Sequence, residues 1–360
     1  MERLGIVGLP NSGKSSLFNA LTGGSAPVAA HPFSTTEASV GVAQVPDHRL
    51  AALAEMSKSK KVVSTGVELV DIAGLVAGSS TGEGLGNRFL AGIREVDAVI
   101  LVLRAFEDQN VVGGSDPMDD LGVLELELVL ADATTVESQL EKRRRAAKND
   151  KSLLAEVEAM DAALPHLQNG TPIYRAGLSA EHRAALKPIF LLTNKPVLAV
   201  INIGDDQLGD VADGFRSAVA AELGQRTEDV LAVCVQLEAE ASQLDADERA
   251  EMLDGLGLGE GALPRVARAA YHLLGRRMFF TTGDKESRAW TYRDGAKAPE
   301  CAGVIHSDLQ RGFIRAEVIH WDELLELGAW NKAKEVGKLR VEGKDYVVID
   351  GDVLEIRFNV

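Results

Sequence analysis

The chain has 360 residues, 46% hydrophobic and 26% charged, a balance that suits a globular protein with room for two or three domains. A formal charge of −16 argues against whole-surface binding of nucleic acid, so any RNA contact has to use a local basic patch. No apolar run approaches the roughly 20 residues needed to span a bilayer, and the two cysteines, Cys234 and Cys301, lack metal-ligand spacing.

A soluble protein of the reducing cytoplasm is therefore expected, with no membrane contact and no structural zinc or disulfide framework. Met1-Glu2-Arg3 leads straight into an apolar strand, so no signal peptide is expected either.

In chain order, Arg3 to Val7 reads as a strand and Lys14 to Leu21 as the opening of a helix. Between them Gly8-Leu9-Pro10-Asn11-Ser12-Gly13-Lys14-Ser15 fits G-x-x-x-x-G-K-[ST] in full, in the strand-to-helix position its mechanism requires. Such a loop wraps main-chain N–H groups around a phosphate tail at a helix N-terminus. Gly8 and Gly13 permit close approach, Lys14 neutralises the outer phosphates, and Ser15 offers a hydroxyl to Mg²⁺. This points to a nucleoside-triphosphatase.

The polar stretch Pro32-Phe33-Ser34-Thr35-Thr36 precedes a strand and supplies a threonine able to close on Mg²⁺ and the γ-phosphate; Thr35 is chosen over Thr36. Val67 to Val70 is a further strand, followed by Asp71-Ile72-Ala73-Gly74, a D-x-x-G motif. Asp71 there holds a Mg²⁺-bound water and the Gly74 N–H meets the γ-phosphate. Losing that phosphate frees both loops, which makes a switch.

Lys14, Thr35 and Gly74 are thus the expected catalytic set, and Ser15, Thr35 and Asp71 the metal set. Leu75 follows, where Ras-like enzymes carry a water-orienting glutamine, so hydrolysis is either slow or helped from elsewhere. Gly82-Glu83-Gly84-Leu85-Gly86 reads as a flexible lid or an irregular connector.

Ala98 to Leu103 is another buried strand. From Leu124 to about Lys187 the strand signal vanishes, and Leu126, Leu130, Ala133 and Leu140 recur at helical spacing, giving an antiparallel helical hairpin. The Asn169-Gly170-Thr171-Pro172 turn closes one arm. Lys142-Arg143-Arg144-Arg145 with Lys148 and Lys151 is the densest basic cluster, either an RNA-phosphate contact or a solvated face paired with nearby Glu.

Strands return at Val197 to Ile201 and Val230 to Val235. After the first comes Asn202-Ile203-Gly204-Asp205, in the place where GTPases carry N-K-x-D, whose carboxylate accepts from the guanine ring N–H and 2-amino group. Asn202 and Asp205 are kept, but Ile203 replaces the lysine, and Cys234-Val235-Gln236 stands where S-A-K is expected. Relaxed or switched base specificity follows.

Beyond Phe279, short β-like runs such as Phe313 to Ile319 and Val353 to Phe358, with turns at Glu342-Gly343-Lys344-Asp345 and Asp350-Gly351-Asp352, read as a small separate mixed β domain. The fold class is then α/β, with a Ras-like P-loop domain over 1–123 and 190–277, a helical insertion over 124–189, and a C-terminal domain over 278–360.

Taken together, these residues resemble the YchF/Obg-like ATPase family across nearly the whole chain. The match rests on G-L-P-N-S-G-K-S, P-F-S-T, D-I-A-G-L-V followed by G-E-G-L-G-N, R-E-V-D-A and L-L-T-N-K-P-V. It also includes Gly312-Phe313-Ile314-Arg315-Ala316-Glu317-Val318 and Glu342-Gly343-Lys344-Asp345-Tyr346. The resemblance implies ATP hydrolysis preferred over GTP, a coiled-coil insertion, a C-terminal TGS domain of β-grasp fold, and association with ribosomes.

Carried over by position, the nucleotide contacts are Asn11, Ser12, Gly13, Lys14, Ser15 and Ser16 with Asn202 and Ile203, and Mg²⁺ is held by Ser15 and Thr35. Two positions depart from the family. Asp205 stands where N-x-x-E is usual, which keeps some GTP use open. The short Val112-Gly113-Gly114-Ser115 loop lacks the histidine proposed to aid hydrolysis.

The leading expectation is a monomeric Mg²⁺-dependent ATPase whose turnover times an interaction with ribosomal RNA through the hairpin and the C-terminal domain. In that domain Arg311, Arg315 and Lys344 add a second basic contact, and hairpin and C-terminal domain are expected to flank one concave basic face. The alternatives are a GTP-specific Obg/Drg-type switch and a nucleotide-gated binding module with negligible turnover.

Overall fold

The computed structural model describes residues 2–24, 39–72, 85–109 and 111–359. Among them twelve strands run in chain order: β1 (Arg3–Gly8), β2 (Ser39–Val45), β3 (Val62–Val63), β4 (Thr65–Asp71), β5 (Ala98–Arg104), β6 (Val197–Asn202), β7 (Leu231–Val233), β8 (Arg276–Thr281), β9 (Ser287–Arg293), β10 (Phe313–His320), β11 (Arg340–Glu342) and β12 (Asp352–Phe358). They form two six-stranded sheets, ordered β2-β4-β1-β5-β6-β7 and β11-β10-β12-β8-β9-β3. The chain divides into two compact units, 1–43 with 67–273, and 44–66 with 274–360.

In the first unit β1 lies parallel to both β4 and β5, β5 to β6, and β6 to β7. Every residue of β5 and β6 is buried, which is why both read as unbroken apolar runs with no alternation. Ile6 pairs with Asp71, Gly8 with Val102, and Arg104 with Asn202. The register therefore gathers Gly8, Asp71, Arg104 and Asn202 at the carboxyl ends of four adjacent strands, where open parallel sheets bind their ligands. β7 stops at Val233, two residues short of its expected end, because Val235 already opens the helix Val235–Ala241.

The helical hairpin is present, but its first helix is Pro117–Ala147 and so begins before Leu124. Asp116 accepts from the Met118 N–H at 2.8 Å and Pro117 occupies the first turn, a start signal of N-cap and proline. Leu124 and Leu128 pack into the core of the parallel sheet, while Val129, Val136 and Leu140 pack with Ala159, Met160, Ala163 and Leu167 of the helix Leu154–Gln168. Leu126 and Leu130, expected at helical spacing with Leu140, are 53% and 43% exposed.

Gly170, with φ of 78°, turns the chain out of the second helix while the Thr171 N–H donates to the His166 carbonyl at 2.8 Å. Asp132 on the long helix accepts from Leu192 N at 2.8 Å, Thr193 N at 2.7 Å and Thr193 Oγ1 at 2.7 Å, fixing the turn that leads into β6.

The second unit contains more than the C-terminal stretch expected at 278–360, because residues 44–66 belong to it. Asp47 caps the helix His48–Met56 by accepting from the Arg49 N–H at 2.8 Å, and β3 then pairs in parallel with β9. Arg49 donates to Asp350 Oδ2 at 2.6 Å and lies 5.1 Å from the Phe280 ring centroid. Phe279, Tyr292, Cys301, Phe313, Val318 and Leu354 form the core of this unit. No helix among the described residues is long and apolar enough to cross a membrane.

Candidate functional site

The turn from β1 into the helix Lys14–Thr22 is built from left-handed backbone. Asn11 has φ of 66° and Gly13, at the N-cap, has φ of 90°. A Cβ at Gly13 would collide with the Asn202 amide, and one at Gly8 would sit 2.7 Å from the Val102 carbonyl. Both glycines are therefore demanded by close approach. The helix opens with no side-chain cap, so its first N–H groups remain for a ligand. Lys14, Ser15 and Ser16 are half-buried in its first turn.

Ser15 Oγ donates to Asp71 Oδ2 at 2.6 Å. Asp71 is 1% exposed, and its second carboxylate oxygen, Oδ1, is buried without a partner. Burial pushes the Asp71 carboxyl up, with the Lys14 ammonium and the Ser15 hydroxyl pulling against it. A buried, half-satisfied carboxylate beside a hydroxyl is a hard-oxygen donor pair, which fits Mg²⁺ held jointly with substrate phosphates. Among the described residues no group of three His, Cys, Asp or Glu side chains could hold a metal ion. Thr35 and Gly74 lie outside the described residues, as do Leu75 and the Gly82–Gly84 part of the glycine-rich segment.

Asn202 is 5% exposed, and its amide makes one bond through each of its polar atoms. Nδ2 donates to the Ser12 carbonyl at 3.0 Å and Oδ1 accepts from the Val235 N–H at 3.3 Å. It ties the phosphate loop to the start of the helix Val235–Ala241. The Ile203 side chain is also turned inward, 3% exposed and part of the sheet core.

Asp205 remains exposed at the start of a short turn, its Oδ1 accepting from the Asp206 N–H at 3.0 Å. Its charge reaches Cys234, whose thiol burial pushes up and the Asp205 carboxylate pushes further. Asp205 thus stays exposed while the Asn202 and Ile203 side chains are buried. Among the described residues Ser12 Oγ, in the phosphate loop, is a further buried atom without a partner, as is Asp71 Oδ1.

Two residues at the end of β5 escaped the sequence reading. Arg104 is 3% exposed, and Phe106 lies beside it with its ring centroid 4.5 Å from the guanidinium carbon. Ala105 and Phe106 donate their N–H groups to the Asn202 carbonyl at 2.9 and 3.2 Å, so this segment borders Asn202-Ile203-Gly204-Asp205. The available signal was the arginine itself, a charge closing the apolar run Ala98–Leu103.

On the hairpin, Arg143 pairs with Glu156, and Arg144 pairs with Asp161 and, at 2.7 Å, with Glu141. Arg143 and Arg144 are therefore paired within the hairpin, and Arg144 stays exposed together with Lys142, Arg145, Lys148 and Lys151.

Residues 3–151 match the family "50S ribosome-binding GTPase", and residues 277–359 match the YchF-GTPase_C family, described as a "Protein of unknown function". The chain is 45% identical over 362 residues to the "Ribosome-binding ATPase YchF" of Bacillus subtilis, with 99% of each chain covered. It is 46% identical over 364 residues to the protein of the same name from Haemophilus influenzae, again with 99% of each covered. The structure of the Schizosaccharomyces pombe YchF GTPase superposes with a TM-score of 0.84 at 32% identity, covering 99% of this chain and 97% of that one.

Proposed function

This chain belongs to the YchF family, and on that premise we propose that it is a Mg²⁺-dependent ATPase that binds the ribosome and changes state with its nucleotide. The observation that carries the reading is the Ser15–Asp71 hydrogen bond of 2.6 Å with Asp71 Oδ1 left open beside it, at the mouth of an uncapped helix. In this reading the main-chain amides from Gly13 to Ser16 bind the β- and γ-phosphates, and Lys14 neutralises their outer oxygens. Ser15, Asp71 and Thr35 hold Mg²⁺, which supplies charge neutralisation as the terminal phosphoryl group leaves. Gly74 meets the γ-phosphate, and its loss on hydrolysis releases both switch segments.

The preference for ATP draws support from Ile203, whose buried side chain offers no lysine stem to a base, and from the name borne by the bacterial relatives. A GTP-using protein is the second reading, favoured by the exposed Asp205 carboxylate. Ribosome contact draws on the relatives' names and on Lys142, Arg145, Lys148 and Lys151, with Arg315 and Lys344 on the C-terminal segment, read as a TGS domain of β-grasp fold. The region 124–189 acts as a coiled-coil module, and the protein works as a cytoplasmic monomer.

Phosphate release with ATP and Mg²⁺, compared with Lys14→Ala, tests the core of this function. Equal release from both proteins, with ribosomes present, removes the ATPase and leaves a nucleotide-gated binding module.

A further inference from the structure

Arg104 ends the central strand of the nucleotide sheet, yet its guanidinium is turned back into the protein. Nε donates to the Phe106 carbonyl at 3.1 Å, Nη1 to the Val112 carbonyl at 3.4 Å and Nη2 to the Val111 carbonyl at 3.5 Å. Its own N–H is fixed by Asp120 Oδ2 at 2.9 Å, and the guanidinium stacks on the Phe106 ring. A planar fork that meets three main-chain carbonyls dictates the path of the segment that follows it.

That segment touches the nucleotide site at both ends. The Val112 carbonyl, on which Arg104 donates, also accepts from Asn11 Nδ2 of the phosphate loop at 3.1 Å. Phe106 and Ala105 donate to the Asn202 carbonyl, and Gln207 Nε2 returns a bond to the Ala105 carbonyl at 2.9 Å. Arg104 joins both margins, through Phe106 on the base side and Val112 on the phosphate side.

We propose that Arg104 is a positioning residue for nucleotide binding, holding the segment after β5 so that Phe106 borders the base and Asn11 is locked in its left-handed conformation over the phosphates. This rests on the nucleotide-binding reading given above. Arg104 acts through Phe106, Val112 and Asn11 and does not touch the reacting phosphoryl group, so its loss weakens ground-state binding and leaves the chemical step nearly unchanged.

The test uses full-length protein with a fluorescent ATP analogue and Mg²⁺, comparing wild type, Arg104→Met, Arg104→Lys, Asn11→Gly and the double variant. Glycine at position 11 removes the bond to Val112 without straining a backbone at φ of 66°. Arg104→Met is expected to raise Kd and KM by about 10-fold with kcat within about 3-fold, and Asn11→Gly to raise Kd by about 5-fold. The double variant is expected to fall near 10-fold, well short of the product of the two, because the residues share one carbonyl.

Arg104→Lys keeps the charge but not the fork, and is expected to stay impaired. Full rescue by lysine overturns the proposal, since charge alone would then suffice. So does a double variant whose losses multiply, or an Arg104→Met protein with a lowered Tm and wild-type Kd. If Arg104→Met does not fold, the lysine and Asn11→Gly variants decide between the same outcomes. A wild-type protein that binds no analogue defeats the nucleotide-binding reading instead, a result distinct from all of these.

Discussion

The side-chain amide of Asn202 donates to the Ser12 carbonyl at 3.0 Å, joining the end of β6 to the phosphate loop. Because the oxygen of the same amide accepts from Val235 at 3.3 Å, Asn202 sets the spacing between the phosphate loop and the start of the helix Val235–Ala241. Asn202→Ala removes both bonds and leaves a buried carbonyl and a buried N–H unpaired. The expected cost is about 1–3 kcal/mol, or about 5- to 150-fold in nucleotide affinity. The loss should be equal for ATP and GTP, since a positioning role ignores the base. Parallel titrations with both nucleotides check this, and a loss confined to one of them would return Asn202 to base reading.

Asp205 is expected to behave in the opposite way. Its carboxylate is exposed at the base-side turn, and only guanine offers it a ring N–H and a 2-amino group. Asp205→Asn should weaken GTP by about 10- to 150-fold, the worth of hydrogen bonds to a charged acceptor, and leave ATP within about 2-fold. Competition between labelled ATP and unlabelled GTP reads the ratio directly. An unchanged ratio would place guanine recognition elsewhere or remove it.

These two residues also mark where sequence reading succeeds and where it stops. The phosphate loop was legible because strand, glycines, lysine and helix are local, and Gly13 is forced by a backbone angle that one residue type supplies best. Asp71 and Ser15 were legible as partners because their roles are chemical. Asn202 was assigned to the nucleotide by its place in the N-K-x-D position, and its two hydrogen bonds depend on tertiary contacts that spacing cannot reveal. Ile203 was carried over by position, yet its side chain is claimed by the core.

The segment 44–66 was missed for a different reason. Its strand β3 has two residues and pairs with Ser287 and Arg288, so neither periodicity nor sequence proximity announces it. On the hairpin, Leu126 and Leu130 share an apolar spacing with the buried stripe yet face outward, because the single-helix pattern does not say which side meets the neighbour.

A pH dependence follows from Asp132. It is buried, and burial pushes its carboxyl up to about 6 despite three hydrogen bonds from Leu192 and Thr193. Because the folded value exceeds the unfolded one of 3.8, this group stabilises the fold most below pH 4 and loses that contribution as pH rises through 6. The loss is on the order of 3 kcal/mol at ~1.4 kcal/mol per unit. Asp132→Asn cannot ionise, so the stability of the variant relative to wild type should rise between pH 4.5 and 7. Urea unfolding of both proteins across that range checks the trend. A difference independent of pH would mean that the carboxyl titrates in the same range folded and unfolded.

The last expectation concerns the second compact unit, where a piece of chain from between the two switch positions is built into the C-terminal sheet. Arg49 donates to Asp350 at 2.6 Å and to Asp47, and Asp350 in turn accepts from the Met278 N–H at 2.7 Å. Arg49→Met strips the charge from a network in which Asp350 orders the start of β8. A fully buried pair broken in this way costs about 3–5 kcal/mol, and the partial exposure of this one lowers the expected loss to about 2 kcal/mol. The loss should be local, with amide hydrogen exchange quickening in β8 and β9 while β5, in the other unit, keeps its protection. Unchanged exchange in β8 would show that the inserted segment merely rests on the sheet. Quickening in β5 as well would show that the two units unfold together, and in that case the segment 44–66 joins their stabilities.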